Sequence, residues 1–348
     1  AMSTVTIGMD LGDKKIQICV LDARGRKVRQ GSVTNTPAAL RKYFQRYAGA
    51  IVAMETGTHS PWISRLLAFL GCQVLIGNSR KLRMIWNNPR KSDLRDAEML
   101  ARIARFDAEL LCPVHHRSEQ AHADLELVKA RDVLVRTRST LVNHVRGAVK
   151  AFGARIPRCS AESLPLRALP CLPETIRPAL TPVLETIQRL TEQIRDYDRR
   201  VAIVSREQYP ETQGLQQITG VGPLTALAFV LTLEEPQRFE KSRSVGAYLG
   251  LTPKRDQSGE TDKQLRITKA GNKYLRQLLV TCGHYILGPF GPDCDLRRYG
   301  LRIAARGGKN AKKRAAVAVA RKLSVLLHRL WQTGAVYEPL RSGGPQVA

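Results

Sequence analysis

Four acidic residues stand where they could do chemistry on a phosphodiester. Asp10 follows the alternating apolar residues Val5, Ile7 and Met9. Glu55 closes the short apolar run AIVAME at 50–55. Asp93 and Asp96 lie in KSDLRDAEMLARIAR, which reads as a helix start. Their i, i+3 spacing puts both carboxylates on one helix face, a turn apart. Oxygen ligands of this kind suit a hard divalent cation, Mg2+ or Mn2+, that keeps some of its waters. Two such ions can clamp the attacking and leaving oxygens of phosphoryl transfer. Each acid alone has an ordinary explanation: an Asp after a strand is a turn residue, and Asp93 suits the positive end of a helix dipole. Together, at two strand ends and one helix start, the four form a candidate metal-binding and catalytic set. Asp13 reads as a turn residue and Glu98 points off the Asp93/Asp96 face, so both stay outside it.

A second group is cationic. Ser258 lies between Lys254, Arg255 and Lys263, Arg266, with Lys269 and Lys273 next. A hydroxyl is a weak nucleophile until a base, a metal or cations lower the cost of its alkoxide, and cations would also hold a phosphate and spread its transition-state charge. On the residues alone, Ser258 is a serine in a glycine-flanked loop. The segment LQQITGVGPLTAL at 215–227 carries Gly220, Gly222 and Pro223, a helix-hairpin-helix signature. It predicts a tight turn and a helix N-terminus whose free N–H groups could meet a DNA phosphate. No acid occurs between Asp295 and Glu338, whereas Arg306, Lys309, Lys312, Lys313 and Arg314 crowd the middle of that stretch. A charge run is ordinarily a solvated face, but without intrahelical acidic partners this one predicts a phosphate-tracking surface.

The whole chain has the same bias. Its 348 residues carry 56 Lys and Arg against 30 Asp and Glu, a formal net charge of +26. A surplus of that size repels itself without a polyanionic partner, and nucleic acid answers it by releasing condensed counterions. No apolar run is long enough to span a bilayer, so no membrane partner is expected. The seven cysteines include no C-x-x-C pair, which argues against a zinc site or disulfide framework and for reduced thiols. The opening stretch reads as a strand rather than a secretory signal, so a cytoplasmic location inside a bacterial cell is expected. His59, His115, His116 and Tyr299 read as capping or packing residues, and Trp62, Trp86 and Trp331 as core or interface.

These groups need elements to hold them. Apolar alternation predicts a strand, a tight turn and a second strand over Val5–Val20, with a third at Lys27–Thr34. A helix over Pro37–Ala48 is capped by Thr36. A buried strand follows at Ala50–Glu55, then a helix at Pro61–Leu70 and a strand near Gln73–Ile76. The order β-β-β-α-β-α-β is an α/β layer fold with a central sheet. From Ser118 to Phe152 apolar residues recur every three or four positions. After a proline-rich connector a second long helix is expected from about Pro182 to Gln208. The pair reads either as a coiled-coil arm for self-association or as a helical hairpin packed on its own domain. The remainder is mainly α-helical.

The order Asp after the first strand, Glu after a later strand and D-x-x-D on a helix resembles the RuvC-like, RNase-H-related nucleases. The strings GMDLGDKK, AMETGTHS and KSDLRDAEMLA resemble more narrowly the DEDD insertion-sequence transposases, the family that includes the Piv DNA invertases and the bridge-RNA-guided recombinases. GLTPKRDQSG, ITKAGNKYLRQLLV and the basic GGKNAKKRAAVAVARKLSVLLHRLW continue the likeness over nearly the whole chain. The resemblance implies a RuvC-like DEDD domain at 1–113, a helical coiled-coil region at 114–210, a transposase domain with a catalytic serine at 211–340 and a disordered tail at 341–348. It implies that Asp10, Glu55, Asp93 and Asp96 bind metal. It implies that Ser258 joins covalently to DNA, in a composite site with the carboxylates. Donor and target double-stranded DNA, a guide RNA and a homodimer or homotetramer are the implied partners. Two other readings remain: a Holliday-junction-resolvase-like nuclease that uses only the carboxylates and water, and a non-catalytic nucleic-acid-binding scaffold.

Overall fold

The computed structural model describes residues 5–82, 92–258 and 261–341; for 256, 258 and 261–264 only the backbone is described. The chain divides into two compact units, 1–118 and 119–348. Trp86 and residues 342–348 of the expected tail lie outside the described residues.

The first unit is built on one five-stranded mixed sheet. Its strands are β1 (Thr6–Leu11), β2 (Lys15–Leu21), β3 (Lys27–Thr34), β4 (Ile51–Glu55) and β5 (Gln73–Gly77), in the order β3-β2-β1-β4-β5. β1, β2 and β3 pair antiparallel, whereas β4 runs parallel to both β1 and β5. Alternation sends Ile7, Met9, Ile16, Ile18, Val52 and Met54 to one face, where they pack on Leu40 and Phe44 of α1 (Pro37–Phe44) and on Ile63 and Leu67 of α2 (Ser60–Phe69). Helix α1 starts where expected, with the Thr36 hydroxyl accepting from the Ala39 N–H at 3.4 Å. It ends at Phe44, four residues short of the expected Ala48.

The other face is covered by α3 (Asp93–Phe106). Its small residues Ala97 and Ala101 meet Cys19 and Leu21, and its Leu100, Ile103 and Ala104 meet Ala53. The approach is closest at Gly8: a Cβ there would fall inside the Ala97 carbonyl oxygen and 2.6 Å from the Ala101 nitrogen. The C-terminal end of α3 reaches the β2–β3 turn, where Arg105 donates to the Ala23 carbonyl. Near its start, the Leu94 carbonyl accepts from Gln30 Nε2 at 3.1 Å. Helix α3 therefore runs back along β1 and delivers its first turn to the end of the sheet where β1 finishes. Glu98, on its outer flank, accepts from Lys27 at 2.9 Å and from Arg102 at 2.7 Å, off the Asp93/Asp96 face as expected.

The second unit is mainly helical. Helices α4 (Glu119–Ala148) and α6 (Arg177–Glu207), joined through the short α5 (Leu164–Ala168), form a hairpin. Its far end has a private core of Val142, Val145, Val149, Leu164, Leu180, Leu184 and Ile187. At its base Ala121, Leu125, Val128 and Val201 enter the main core. The two helices thus pack on each other within one chain. Helix α6 begins at Arg177 rather than near Pro182, which sits inside it. Pro178 takes the first-turn position that tolerates a missing N–H. The apolar stripe from Leu180 to Ile194 carries the helix through Pro182. The rest comprises α7 (Glu211–Leu215), the uncharged α8 (Pro223–Leu233), α9 (Arg243–Tyr248), a hairpin of β6 (Pro253–Ser258) and β7 (Thr261–Ile267), then α10 (Lys273–Leu287), α11 (Asp295–Ala305) and α12 (Ala311–Thr333). Residues 225–233 of α8 are all buried, at the centre of this core. Trp331 packs at its edge, as Trp62 does in the first unit. Among the described residues no helix is long and apolar enough to cross a membrane.

Two predictions follow from the seating of α3. Gly8→Ala lodges a methyl in the α3 backbone and should cost at least about 1–3 kcal/mol, measurable as an earlier urea midpoint. The Lys27 and Arg102 donors hold the Glu98 carboxyl below the ordinary carboxylate range. A depressed folded pKa stabilises the fold above the unfolded value of about 4.3, and that stability is lost as pH falls through the folded value. Glu98→Gln should therefore destabilise by about 0.5–1 kcal/mol near neutrality. Melts below the carboxylate range should no longer separate the variant from the wild type.

Candidate active site and nucleic-acid interface

The β1–β4 register brings two of the four acids together. Gly8 pairs with Ala53 and Met9 with Met54, so the next positions are Asp10 and Glu55, side by side at the ends of two parallel strands. Alternation puts both on the face of Gly8 and Ala53, the face that α3 covers. Asp96 precedes Ala97 on the sheet-facing stripe of α3 and is 8% exposed. Asp93, one turn earlier, is exposed at the helix start. All four acids thus belong to one end of the sheet, on one side of it. Among the described residues no group of three or more histidine, cysteine or acidic side chains stands close enough to hold a metal ion.

His59 turns to Asp13. Its Nε2 lies 3.1 Å from Asp13 Oδ1, while Trp62 donates its indole N–H to His59 Nδ1 at 3.3 Å. With Nδ1 accepting, the proton sits on Nε2 and is given to the Asp13 carboxylate. His116 Nε2 lies 2.8 Å from the Ser60 hydroxyl. The sequence offered Asp13 only as a turn residue, and His116 is 56 residues from its partner, with β5 and α3 between them.

Ser258 ends strand β6 rather than lying in a loop. It pairs with Thr261 across residues 259–260, at the turn end of the β6–β7 hairpin. The correction has a physical cause: the polar residues of β6 find ladder partners in β7. The root of the hairpin is fastened by backbone approach. Gly250 (φ +69°) and Gly271 (φ +70°) both occupy the left-handed region, and a Cβ on Gly271 would also meet the Leu249 Cα at 3.3 Å. The Lys269 N–H donates to the Gly250 carbonyl at 3.1 Å. Arg276 then donates from one nitrogen to the carbonyls of Ala270 at 2.7 Å and Leu249 at 2.9 Å. Sequence reasoning passed over Gly250, Gly271 and Arg276. The glycines on either side of the serine segment were the available signal.

Of the cations expected around the serine, Lys254 and Arg255 are exposed on β6, Arg266 on β7, Lys269 just beyond it and Lys273 at the start of α10. Lys263 is on β7 opposite Asp256. A groove of about 420 Å3 runs along this edge, lined by Lys254, Leu265, Arg266, Ile267, Thr268 and Lys269. Gly220 (φ +96°) makes the turn into α8, where a Cβ would strike the Tyr285 ring at 2.8 Å. Gly222 is the α8 N-cap, exposed and without a side chain to close the first turn.

The C-terminal cations gather around one helix start. Arg306 ends α11, Lys309 lies in the connecting turn, and Lys312, Lys313 and Arg314 fill the first turn of α12, all exposed. That turn contains no acid. Cations at the positive end of a helix dipole each cost about 0.3–1 kcal/mol, so this arrangement opposes folding and favours an anion. Tyr299 packs against the core with Lys322 over its ring at 4.1 Å.

Known proteins share these blocks. Residues 7–153 match a family model of IS110-type DEDD proteins described as transposase, and residues 212–289 match the transposase model of the IS116/IS110/IS902 family. The transposase for insertion sequence element IS1111A of Coxiella burnetii is 28% identical over 337 residues, covering 93% of this chain and 88% of its own. A probable family 20 transposase of Pseudomonas aeruginosa is 26% identical, covering 97% of this chain and all of its own length (100%). The transposase for insertion sequence element IS1328 of Yersinia enterocolitica is 29% identical over 81% of this chain and 84% of its own. With both halves matched in order and relatives aligned almost end to end, the chain belongs to the IS110 family of DEDD transposases.

Proposed function

We propose that the protein is an insertion-sequence transposase that cuts and rejoins DNA through a covalent phosphoserine linkage at Ser258, assisted by divalent metal on Asp10, Glu55, Asp93 and Asp96. The observation that carries this reading is the register that makes Asp10 and Glu55 neighbours under the start of α3. It also supports reading the first unit as RuvC-like. The donor set fits a hard cation: all four ligands are carboxylates, and two of them extend parallel strands spaced by about 4.8 Å. Carboxylates drawn that close repel one another, so the cation itself supplies the energy to converge them. Once bound, Mg2+ or Mn2+ would neutralise charge on the phosphate oxygens.

The remaining chemistry belongs to the chain. Ser258 gives up its hydroxyl proton to solvent, and its oxygen attacks the phosphorus while a deoxyribose oxygen leaves and takes up a proton from solvent. One phosphodiester replaces another, so the linkage keeps the energy needed for rejoining. Lys254, Arg255, Lys263, Arg266, Lys269 and Lys273 would hold the phosphate and spread its charge. Gly220 and Gly222 would offer backbone N–H groups to a neighbouring phosphate. Arg306, Lys309, Lys312, Lys313 and Arg314 would track the duplex, for which their unfavourable place at the α12 dipole is the support. A guide RNA and an assembly of two or four copies complete the proposal, on the strength of the family resemblance and the +26 charge.

The test is covalent trapping with labelled donor and target DNA and Mg2+ on a denaturing gel. Ser258→Ala should abolish the protein–DNA adduct, and Asp10→Ala should lower it by about a hundredfold or more. Cleavage without an adduct, indifferent to Ser258→Ala, would leave the resolvase-like nuclease instead. Binding unaffected by chelation, with no cleavage in any variant, would leave the scaffold. Separately, Lys312→Ala with Lys313→Ala should weaken duplex binding irrespective of sequence. Anisotropy titrations at several salt concentrations should give a log–log salt slope shallower by about 2.

A further inference from the structure

The first unit carries a cationic surface that the proposed chemistry does not use. No Asp or Glu occurs between Asp22 and Glu55, a stretch holding Arg24, Arg26, Lys27, Arg29, Arg41, Lys42 and Arg46. The acids that do reach this edge are engaged, Asp22 with Arg26 and Glu98 with Lys27 and Arg102. Arg41 and Lys42 have a local reason, since they sit in the last turn of α1 where cations suit the dipole. Arg29, on an edge strand, has none. Strand β3 is exposed along almost its whole length, with Val28 60% exposed.

Two of these arginines sit over aromatic rings. The Arg29 guanidinium lies 5.5 Å and the Arg46 guanidinium 5.0 Å from the centre of the Tyr43 ring. Arg46 also lies 5.5 Å from the centre of Tyr47, whose ring centre is 5.5 Å from that of Tyr43 and tilted 35° to it. Arg46 is further tied by a 3.2 Å bond from Nε to the Tyr43 carbonyl. The result is a positively charged cluster of guanidinium groups over aromatic rings. Planar guanidinium and aromatic surfaces stack on exposed bases, and their charge pairs with phosphates. A duplex hides its base faces and gains only the charge.

The cluster shares the sheet that carries the carboxylates, on its other face. Arg29 pairs with Val20 and Val20 with Ile7, three residues before Asp10. That is about 10 Å along the strand and two strand spacings of about 4.8 Å across. Cutting one strand and rejoining it elsewhere must leave DNA unpaired near the cut. We propose that β3 and α1 form a docking surface for an unpaired strand of the DNA substrate, with Arg29 and Arg46 on Tyr43 and Tyr47 as its stacking platform. The inference rests on the reading of DNA as substrate, not on the serine mechanism.

The test compares binding of the full chain to a labelled unpaired oligodeoxynucleotide, a duplex of the same sequence and the matching RNA strand, at one salt concentration. Arg29→Ser with Arg46→Ser should weaken unpaired-DNA binding on the order of tenfold and duplex binding by less than about twofold. Arg29→Lys with Arg46→Lys, which keeps the charge and loses the plane, should fall about midway. Thermal melts check that the variants fold, and Arg46→Ser alone, on the exposed end of α1, stands in if the double variant does not. Undiminished unpaired-DNA binding, equal losses on duplex and unpaired DNA, or a loss confined to RNA would each overturn the surface. A wild-type chain that binds neither form of DNA would instead remove the DNA-substrate reading itself.

Discussion

Helix α3 lies so close to strand β1 that no side chain fits between them at Gly8. Much of the first unit follows from this contact. It requires alanines at 97 and 101, and it brings the start of the helix to the strand end that bears Asp10. A bulkier residue at any of these positions would lift α3 and carry Asp96 away from the sheet. The contact is reinforced at the rim by Lys27 with Glu98, by Gln30 with the Leu94 carbonyl and by Arg105 with the Ala23 carbonyl. Precision therefore comes from steric exclusion in the middle, with polar bonds limiting rotation at the edge.

The second unit fastens its own chemistry in a comparable way. A two-stranded hairpin is marginal by itself, and β6–β7 has no third strand beside it. Its order comes from the root, where Gly250 and Gly271 let backbone meet backbone and Arg276 ties the carbonyls on both sides. Below that root lies the largest core of the molecule, centred on α8.

Electrostatics sets these elements against a simple stability optimum. The first turn of α12 carries cations at the positive end of a dipole, and the edge strand β3 carries Arg29 over an aromatic ring rather than beside an acid. Both features cost the isolated protein something and are relieved by phosphate. Two basic regions in separate units, one a helix start and the other a cluster of arginines over tyrosine rings, suit different presentations of nucleic acid.

Much was legible from the sequence alone. The strand and helix order of the first unit follows from alternation and from the Thr36–Pro37 start, because local periodicity reports which face is buried. The four acids stood out by their positions at strand ends and a helix start, and the basic stretches by the absence of acids. Other features required the fold. That Asp10 and Glu55 are neighbours depends on a parallel register between strands forty residues apart, and periodicity says nothing about register. That Ser258 ends a strand depends on pairing with residues beyond the turn. Pro182 misled the reading of α6, since proline is a start signal locally while packing of Leu180, Leu184 and Ile187 carries the helix through it. The Asp13–His59 bond and the Arg29–Tyr43 platform were invisible for one reason. Each joins residues on different elements, and only tertiary packing decides which side chains meet.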